Sequence, residues 1–469
     1  MNRQAFLKSL LGGAAFAALP RGLAGHELGD ALNESIADLA RPVSGSMIGY
    51  ADSPIAKVRI GIVGLGNRGY TLLQMLAHDI EQGNCEVVAI CDLNADYVSR
   101  ASTWLSSYQN SAALEVVGDK DAWETVAQSD DVDLLLIVTP WEWHTPMAVM
   151  AMESGKHVAM EVPAAYTLDA CWELVSVAER TQRHCIMIEN CCYNDEELWV
   201  LNMVQSGVFG DITHAEGAYL HDLRAHMLSS DYYQDQWRLQ HHRVRNGNFY
   251  TTHGLGPIAM YLEIGRGDRF EHLTSMSSRE KNLSDAFVSS GVGSSGLSSE
   301  FACGDMNNTL MKTALGKTVL LQFDVHTARP YSRINKVVGT SAVHDGYPSR
   351  LYVDKGELVY WGHQWLSDSE LEDYRSRYRH PMLEKLDAVR SKFKQGHGGM
   401  DFVMMHRLLR CLNLGQPLDL NVYDGALWSA VSPLSELSVA MHGQRVDVPD
   451  FTGGAGDASR PLEIMREIG

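Results

Sequence analysis

The sequence predicts an α/β protein in two parts: an N-terminal doubly wound parallel sheet, then a C-terminal α+β domain with an open, mainly antiparallel sheet. Three observations predict it. From Lys57 to Asn190, short apolar runs alternate with helical stretches, the rhythm of parallel strands joined by helical crossovers. The first such run, Val58 to Val63, is followed by Gly64, Gly66 and Gly69 at the spacing G-x-G-x-x-G. After Ser206 the texture changes to strand-like runs separated by long polar loops.

Taken in order, Met1 to Gly25 is a leader rather than fold. Arg3 and Lys8 precede the apolar run Leu10 to Leu19, and Gly22-Leu23-Ala24 offers a small-residue cleavage site. Arg3-Gln4-Ala5-Phe6-Leu7-Lys8 resembles a twin-arginine export signal with Gln4 in place of the second arginine, so export, to the periplasm, is expected. Residues 26–56 lack periodicity and read as an extended arm or linker. Residues 57–190 form the first domain, with strands at Val58–Val63, Glu86–Cys91, Val132–Thr139, His157–Val162 and Cys185–Glu189. Residues 191–469 form the second, with strands at Ile212–Leu220, Asn308–Ala314, Val319–Val325 and Ile334–Gly339. A Gly/Ser-rich stretch, Ser289 to Ser299, reads as a mobile surface loop, and a helix from Tyr423 to His442 as a late element docking back on the body.

The glycines carry chemistry. Gly64 permits a tight turn, Gly66 lets backbone approach a pyrophosphate, and Gly69 lets helix pack on strand. A helix starting near Arg68 would aim its free N–H groups at that pyrophosphate. The second strand ends in Asp92, about 20 residues on, where an acid meets the ribose hydroxyls and repels a 2′-phosphate. Strand, glycines, helix, strand and acid in this order specify a Rossmann-type dinucleotide site that favours NAD over NADP. Ligands of such sheets sit beyond the carboxyl ends of the strands, so Thr139 to His144, Glu161 to Pro163 and Glu189 to Tyr193 should line one crevice.

Composition narrows the partners. The net charge of −19 argues against nucleic acid or an anionic membrane surface, and the substrate is expected to be a small molecule or glycan. A homo-oligomer is left open. No apolar stretch after the leader approaches membrane-spanning length. The eight cysteines lie mostly in runs that read as buried, so core thiols without disulfides are expected. His241 and His242 with His221 and His226 are the nearest approach to a metal-ligand set. No carboxylate or thiolate completes it, and no metal is read there.

Arg59 to Gly69, Thr139-Pro140 with His144, and Glu161-x-Pro163 resemble the glucose–fructose oxidoreductase and inositol dehydrogenase superfamily. Within it, six motifs resemble glycoside hydrolase family 109, the NAD-dependent α-N-acetylgalactosaminidases. These are Gly66-Asn67-Arg68-Gly69, Trp141-Glu142-Trp143-His144, Glu161-Val162-Pro163, Glu189-Asn190-Cys191-Cys192-Tyr193, Tyr250-Thr251-Thr252-His253-Gly254-Leu255-Gly256-Pro257 and Arg329-Pro330-Tyr331-Ser332. The resemblance implies that Asn67, Arg68, Asp92, Trp141, Glu142, Trp143, His144, Glu161, Val162 and Asn190 hold NAD. It also implies that Tyr219, Arg238, Tyr250, Thr251, Thr252, His253 and Tyr331 hold the sugar.

The wider superfamily's dehydrogenases carry Glu-Lys-Pro where this chain has Val162, and Phe249 stands where many relatives place an aspartate. Proton transfer must come from elsewhere, and His253 and Tyr193 are the available groups. A neutral imidazole accepts protons near neutral pH, so His253 is read as the principal base, with Tyr193 as a relay. Gly254 and Gly256 beside it suggest close backbone approach to a ligand. The route implied by the resemblance is oxidation of the sugar C3 hydroxyl, loss of the acidified C2 proton with elimination at C1, addition of water, and reduction back. Three other readings are weighed against it: a net sugar or cyclitol dehydrogenase, a silent NAD-holding scaffold, and an ordinary glycosidase using Glu161 and Glu189 as paired carboxylates.

Overall fold

A computed structural model describes residues 25–42, 44–291, 300–356 and 362–467. The leader through residue 24 and most of the Gly/Ser-rich stretch lie outside these residues. The first sheet comprises β1 (Val58–Val63), β2 (Cys85–Asp92), β3 (Leu114–Val117), β4 (Leu134–Ile137), β5 (His157–Met160) and β6 (Cys185–Met187), in the order β3-β2-β1-β4-β5-β6. Every pairing is parallel, with Ile60 flanked by Val87 and Leu134. β4 is buried along its whole length, as an unbroken apolar run requires when helices cover both faces. The strand order reverses at β1 and β4, and the crevice between their carboxyl ends is the ligand position of such sheets.

The second sheet contains β7 (Ile212–Leu220), β8 (Phe270–Ser277), β9 (Asn307–Thr313), β10 (Thr318–Asp324), β11 (Lys336–Gly339), β12 (Ala342–Asp345), β13 (Arg350–Val353) and β14 (Val446–Asp447). Its order is β13-β12-β11-β7-β10-β9-β8-β14, antiparallel except for β7 beside β10. The α/β class and both sheet types agree with the sequence reading. Several elements were not legible. β3 is mostly exposed and β12 to β14 are short, so neither leaves a strong pattern. Regions between strands that were read as polar loops carry the helices Trp237–Val244 and Asn282–Ser289, and Asp368–Arg377 and Met400–Leu414 are helices with no counterpart in the sequence reading.

Two helices position the site. Thr252–Tyr261 lies against β7 so closely that a Cβ at Gly217 would stand 2.5 Å from the Gly254 carbonyl, which brings the helix start to the crevice. Val422–Ala440, opened by an Asn421/Asp424 capping box, carries buried serines that accept backbone N–H groups from both parts of the chain. Ser429 receives Ala164 N at 3.0 Å, Ser435 receives Asn248 N at 2.9 Å and Ser438 receives Ser275 N at 2.8 Å. The arm read as extended instead begins with the helix Gly25–Ala37, whose Leu32 and Ile36, four residues apart, are buried. Farther along, Met47 N donates to Tyr423 Oη at 3.1 Å and Ile55 N to the Leu412 carbonyl at 3.0 Å. All eight cysteines are free and buried. No helix among the described residues is long and apolar enough to cross a membrane.

Candidate active site

The crevice begins at the glycine turn. Gly64 has φ +93°, and a Cβ there would lie 2.5 Å from the Val138 carbonyl. A Cβ at Gly69 would fall 1.9 Å from the Gly64 carbonyl, so only glycine lets the helix Asn67–Met75 sit on β1. Gly66 differs: the nearest atom to a Cβ there is 4.0 Å away, on Tyr97. This open side, at a helix start with no side-chain cap and an exposed Asn67, is where a pyrophosphate fits the free N–H groups. Asp92 accepts Leu65 N at 2.6 Å and Asn94 N at 2.8 Å, fixing its carboxylate beside the turn. The residues present fit NAD.

Arg68, Glu161 and Asn190 form one network. Arg68 donates to Glu161 at 2.6 Å and to both oxygens of Asp401 at 2.5 and 3.1 Å. Asn190 Nδ2 donates to the same carboxylate at 2.7 Å, and His397 Nδ1 lies 2.8 Å from it. Asp401 is fully buried, which alone would raise its pKa; the Arg68 charge and the His397 and Arg68 hydrogen bonds instead hold it well below the usual carboxylate range. Asp401 was not read from the sequence. It comes from the helix Met400–Leu414, more than three hundred residues after the loop it braces, and no local motif marks it.

The wall after β4 divides its labour. His144 is fully buried, with Nδ1 2.7 Å from the Pro163 carbonyl and Nε2 2.8 Å from that of Thr139. Both partners are acceptors, so the neutral ring donates to one carbonyl at a time while packed between the end of β4 and the turn after β5. Burial nevertheless lowers its pKa below the ordinary histidine value. His144 thus shapes the crevice backbone, with both ring nitrogens facing carbonyls of the protein. Glu142 is exposed, Trp143 is half-buried against the main core, and Trp141 is buried in the aromatic cluster that includes Tyr219 and Tyr250. Val162 is buried at the turn and leaves an apolar surface where a lysine would carry a proton.

On the wall formed by the second domain, His253 sits at the start of Thr252–Tyr261 with Nδ1 2.7 Å from Glu189 Oε1. Glu189 is fully buried and also accepts Cys191 N at 3.0 Å. Burial would raise its pKa, but the charge and hydrogen bond of His253 outweigh it and lower it, so it remains a carboxylate. A carboxylate holds the proton on Nδ1 and leaves the Nε2 lone pair free. Tyr219 and Tyr250 flank this imidazole, with ring centroids 5.4 and 4.8 Å away, and lie 4.4 Å from each other. Tyr331 meets Tyr219 edge-on at 6.1 Å. The Arg238 guanidinium lies 4.7 Å from the Tyr250 ring and 5.3 Å from Trp141, and donates to Tyr233 Oη at 3.1 Å. Its Nε and Nη2 are buried without a hydrogen-bond partner, two donors aimed at an acceptor the protein does not supply.

Three sequence expectations change here, and one alternative is set aside. Tyr193 is buried and donates to Asp419 at 3.3 Å, beside the Arg407–Asp419 pair, so the structure does not bring it to His253. Burial raises its phenol pKa further, and its hydroxyl is turned to Asp419. Thr251 is likewise committed, its hydroxyl donating to the Trp428 carbonyl at 2.6 Å. Gly254 and Gly256 face protein rather than ligand: Cβ atoms there would lie 2.5 Å from Ala218 N and 2.9 Å from Trp428. Glu161 and Glu189 are no carboxylate pair, since one is bound to Arg68 and the other to His253.

The same architecture recurs in known proteins. A sugar-related fold match is levoglucosan dehydrogenase in complex with NADH and L-sorbose, at TM-score 0.63 and 18% identity, covering 84% of this chain and 100% of that one. An NAD binding oxidoreductase from Klebsiella pneumoniae matches at TM-score 0.63 and 16% identity, over 84% of this chain and 100% of that one. Residues 58–189 match the oxidoreductase family with an NAD-binding Rossmann fold, and residues 193–456 match the glycosyl hydrolase 109 C-terminal domain. A glycosyl hydrolase family 109 protein of Shewanella sp. (strain W3-18-1) is 41% identical over 430 residues, 91% of this chain and 92% of its own. Another from Shewanella sp. (strain MR-7) is 42% identical over 441 residues, 93% of this chain and 94% of its own.

This chain belongs to glycosyl hydrolase family 109.

It is thus a family 109 enzyme whose cofactor is NAD and whose site takes a small-molecule or glycan substrate. Asp92 gives a direct test of the cofactor side. Asp92→Ala is expected to weaken NAD binding and narrow the preference over NADP, because the brace on Leu65 N is lost together with the carboxylate that the fingerprint expects at the ribose. Titration of both nucleotides by intrinsic fluorescence checks this; an unchanged NAD/NADP ratio would refute the role.

Proposed function

We propose that this family 109 enzyme releases terminal α-linked N-acetylgalactosamine by an oxidation–elimination–hydration–reduction cycle with no net redox. The observation that carries this reading is the Glu189-held His253, whose bare Nε2 adjoins aromatic rings suited to a pyranose and the unpaired donors of Arg238. Bound NAD supplies a reversible two-electron acceptor at C3. His253 accepts the proton released beside the C3 ketone and hands it on when the sugar is rebuilt. Glu189 stays ionised, holds the reactive tautomer and stabilises the imidazolium. Arg238 donates to the acetamido oxygen, while Tyr219 and Tyr250 cover the apolar face of the ring. Both acids that could have formed a displacement pair are occupied, which favours elimination over direct displacement. We also propose export, on the leader sequence of residues 1–25 alone.

Turnover of p-nitrophenyl N-acetyl-α-galactosaminide in deuterated water tests the cycle. The product is expected to carry deuterium at C2 and its original hydrogen at C3, with no accumulating NADH. Stoichiometric NADH without aglycone release would make the enzyme a dehydrogenase. Aglycone release without C2 exchange would overturn the mechanism.

A further inference from the structure

We infer that His242, His326 and Cys303 form a buried metal site that ties the Arg238-bearing helix to the sheet beneath it. Cys303 Sγ and one ring nitrogen from each histidine all lie within 4.8 Å of one another. The three residues come from separate elements: the helix Trp237–Val244, the segment before β9 and the loop after β10. All three are buried, at 0, 0 and 1% exposure for His242, His326 and Cys303. The sequence places the partners of His242 far along the chain, so reading it with its neighbours His221, His226 and His241 found no thiolate.

The imidazoles meet nitrogen to nitrogen: His326 Nε2 is 2.8 Å from His242 Nδ1. Asp305 Oδ1 stands 3.6 Å from His326 Nδ1 and favours a proton on that nitrogen. His326 Nε2 is then the acceptor, and His242 Nδ1 donates to it. That leaves His242 Nε2 a bare lone pair, fully buried and without a partner. The imidazole itself packs against Phe249 and Phe323, ring centroids 5.2 and 6.2 Å away, which offer no donor. A buried base with no proton and no partner costs stability in a purely structural core. A cation seated between the facing nitrogens takes the lone pairs of His242 Nδ1 and His326 Nε2 together with the Cys303 thiolate, and the His242 proton then sits on Nε2, which is no longer a bare base.

Two nitrogens and one sulfur suit a borderline-soft divalent ion, with zinc the natural occupant. Ligand bonds of about 2.0–2.1 Å to nitrogen and about 2.3 Å to sulfur need donor atoms roughly 3.3–3.6 Å apart. The facing imidazole nitrogens, 2.8 Å apart, therefore part by about half an ångström to admit the ion. Asp305 has the place of the carboxylate that orients a ligating histidine through its other nitrogen. Metal here would be structural, fixing Arg238 one helical turn before His242.

The test uses the full-length, NAD-loaded protein. It is stripped with a chelator, then titrated first with zinc and separately with cobalt(II). One metal per chain is expected, with a cobalt–thiolate charge-transfer band and a rise in unfolding temperature on loading. Cys303→Ser should abolish the band, and Asp305→Asn should weaken zinc affinity ~10–100-fold. Retained NAD binding in each variant establishes that it is folded. Absence of stoichiometric metal, or a thiolate band that survives Cys303→Ser, overturns the site.

Discussion

His253→Ala is expected to lower kcat by ~10²–10⁴-fold, the usual range for a well-placed acid–base group, while NAD binding is unchanged. The imidazole is the group whose free nitrogen adjoins the sugar-side aromatics, and neither Val162 nor Tyr193 can replace it. The partner variant is more diagnostic. Glu189→Gln keeps shape and hydrogen bonding, but an amide can donate to Nδ1 and so move the proton to Nε2. A base with its proton on the wrong nitrogen is no longer a base, and a loss of ~10²-fold or more follows. Steady-state kinetics with NAD affinity measured alongside decide the matter. A fall of less than about fivefold in His253→Ala would assign the proton transfers to a bound water.

Asp401→Ala is expected to destabilise the fold by ~3–5 kcal/mol and to weaken NAD binding together with it. One fully buried carboxylate compensates Arg68 and accepts from Asn190, so its removal strands a cation and an amide at once. Arg68 keeps Glu161 and its side chain is 26% exposed, which puts the cost at the lower end of that range. The pH dependence has a definite sign. Asp401 titrates below its unfolded value, so its stabilisation is present in full above the ordinary carboxylate range and is lost only as pH falls toward the depressed folded value. The difference between wild type and variant should therefore be constant from pH 6 to 8 and shrink in strong acid. Urea unfolding across that range measures it. A variant as stable as the wild type would show that the network carries no net energy.

Much of the first domain was legible because its signals are local. β1, the three glycines and Asp92 occupy one short stretch, and each constraint acts between near neighbours. The glycines at 64 and 69 are where a Cβ would strike backbone, and the one at 66 is where it would meet open space. Long-range partners left no such trace. Glu189 could be seen in the crevice, but its bond to His253 depends on a glycine-tight packing of Thr252–Tyr261 that pattern alone does not reveal. Tyr193 shares the Glu189 motif, and its neighbourhood suggested chemistry. The short helical turn Asn190–Tyr193 instead directs its hydroxyl to Asp419. Helices such as Met400–Leu414 were missed because their apolar positions nearly encircle the axis, leaving no single stripe.

The carboxylate of Asp401 also sets a timetable. It lies 333 residues beyond Arg68, so during synthesis the glycine loop emerges long before the group that braces it. Until the helix Met400–Leu414 has left the ribosome and docked, Arg68 and Asn190 lack their shared acceptor. The nucleotide is then a ligand of the finished protein rather than a scaffold for its first half. A chain cut anywhere before that helix retains the fingerprint in its sequence without the completed cradle in its structure.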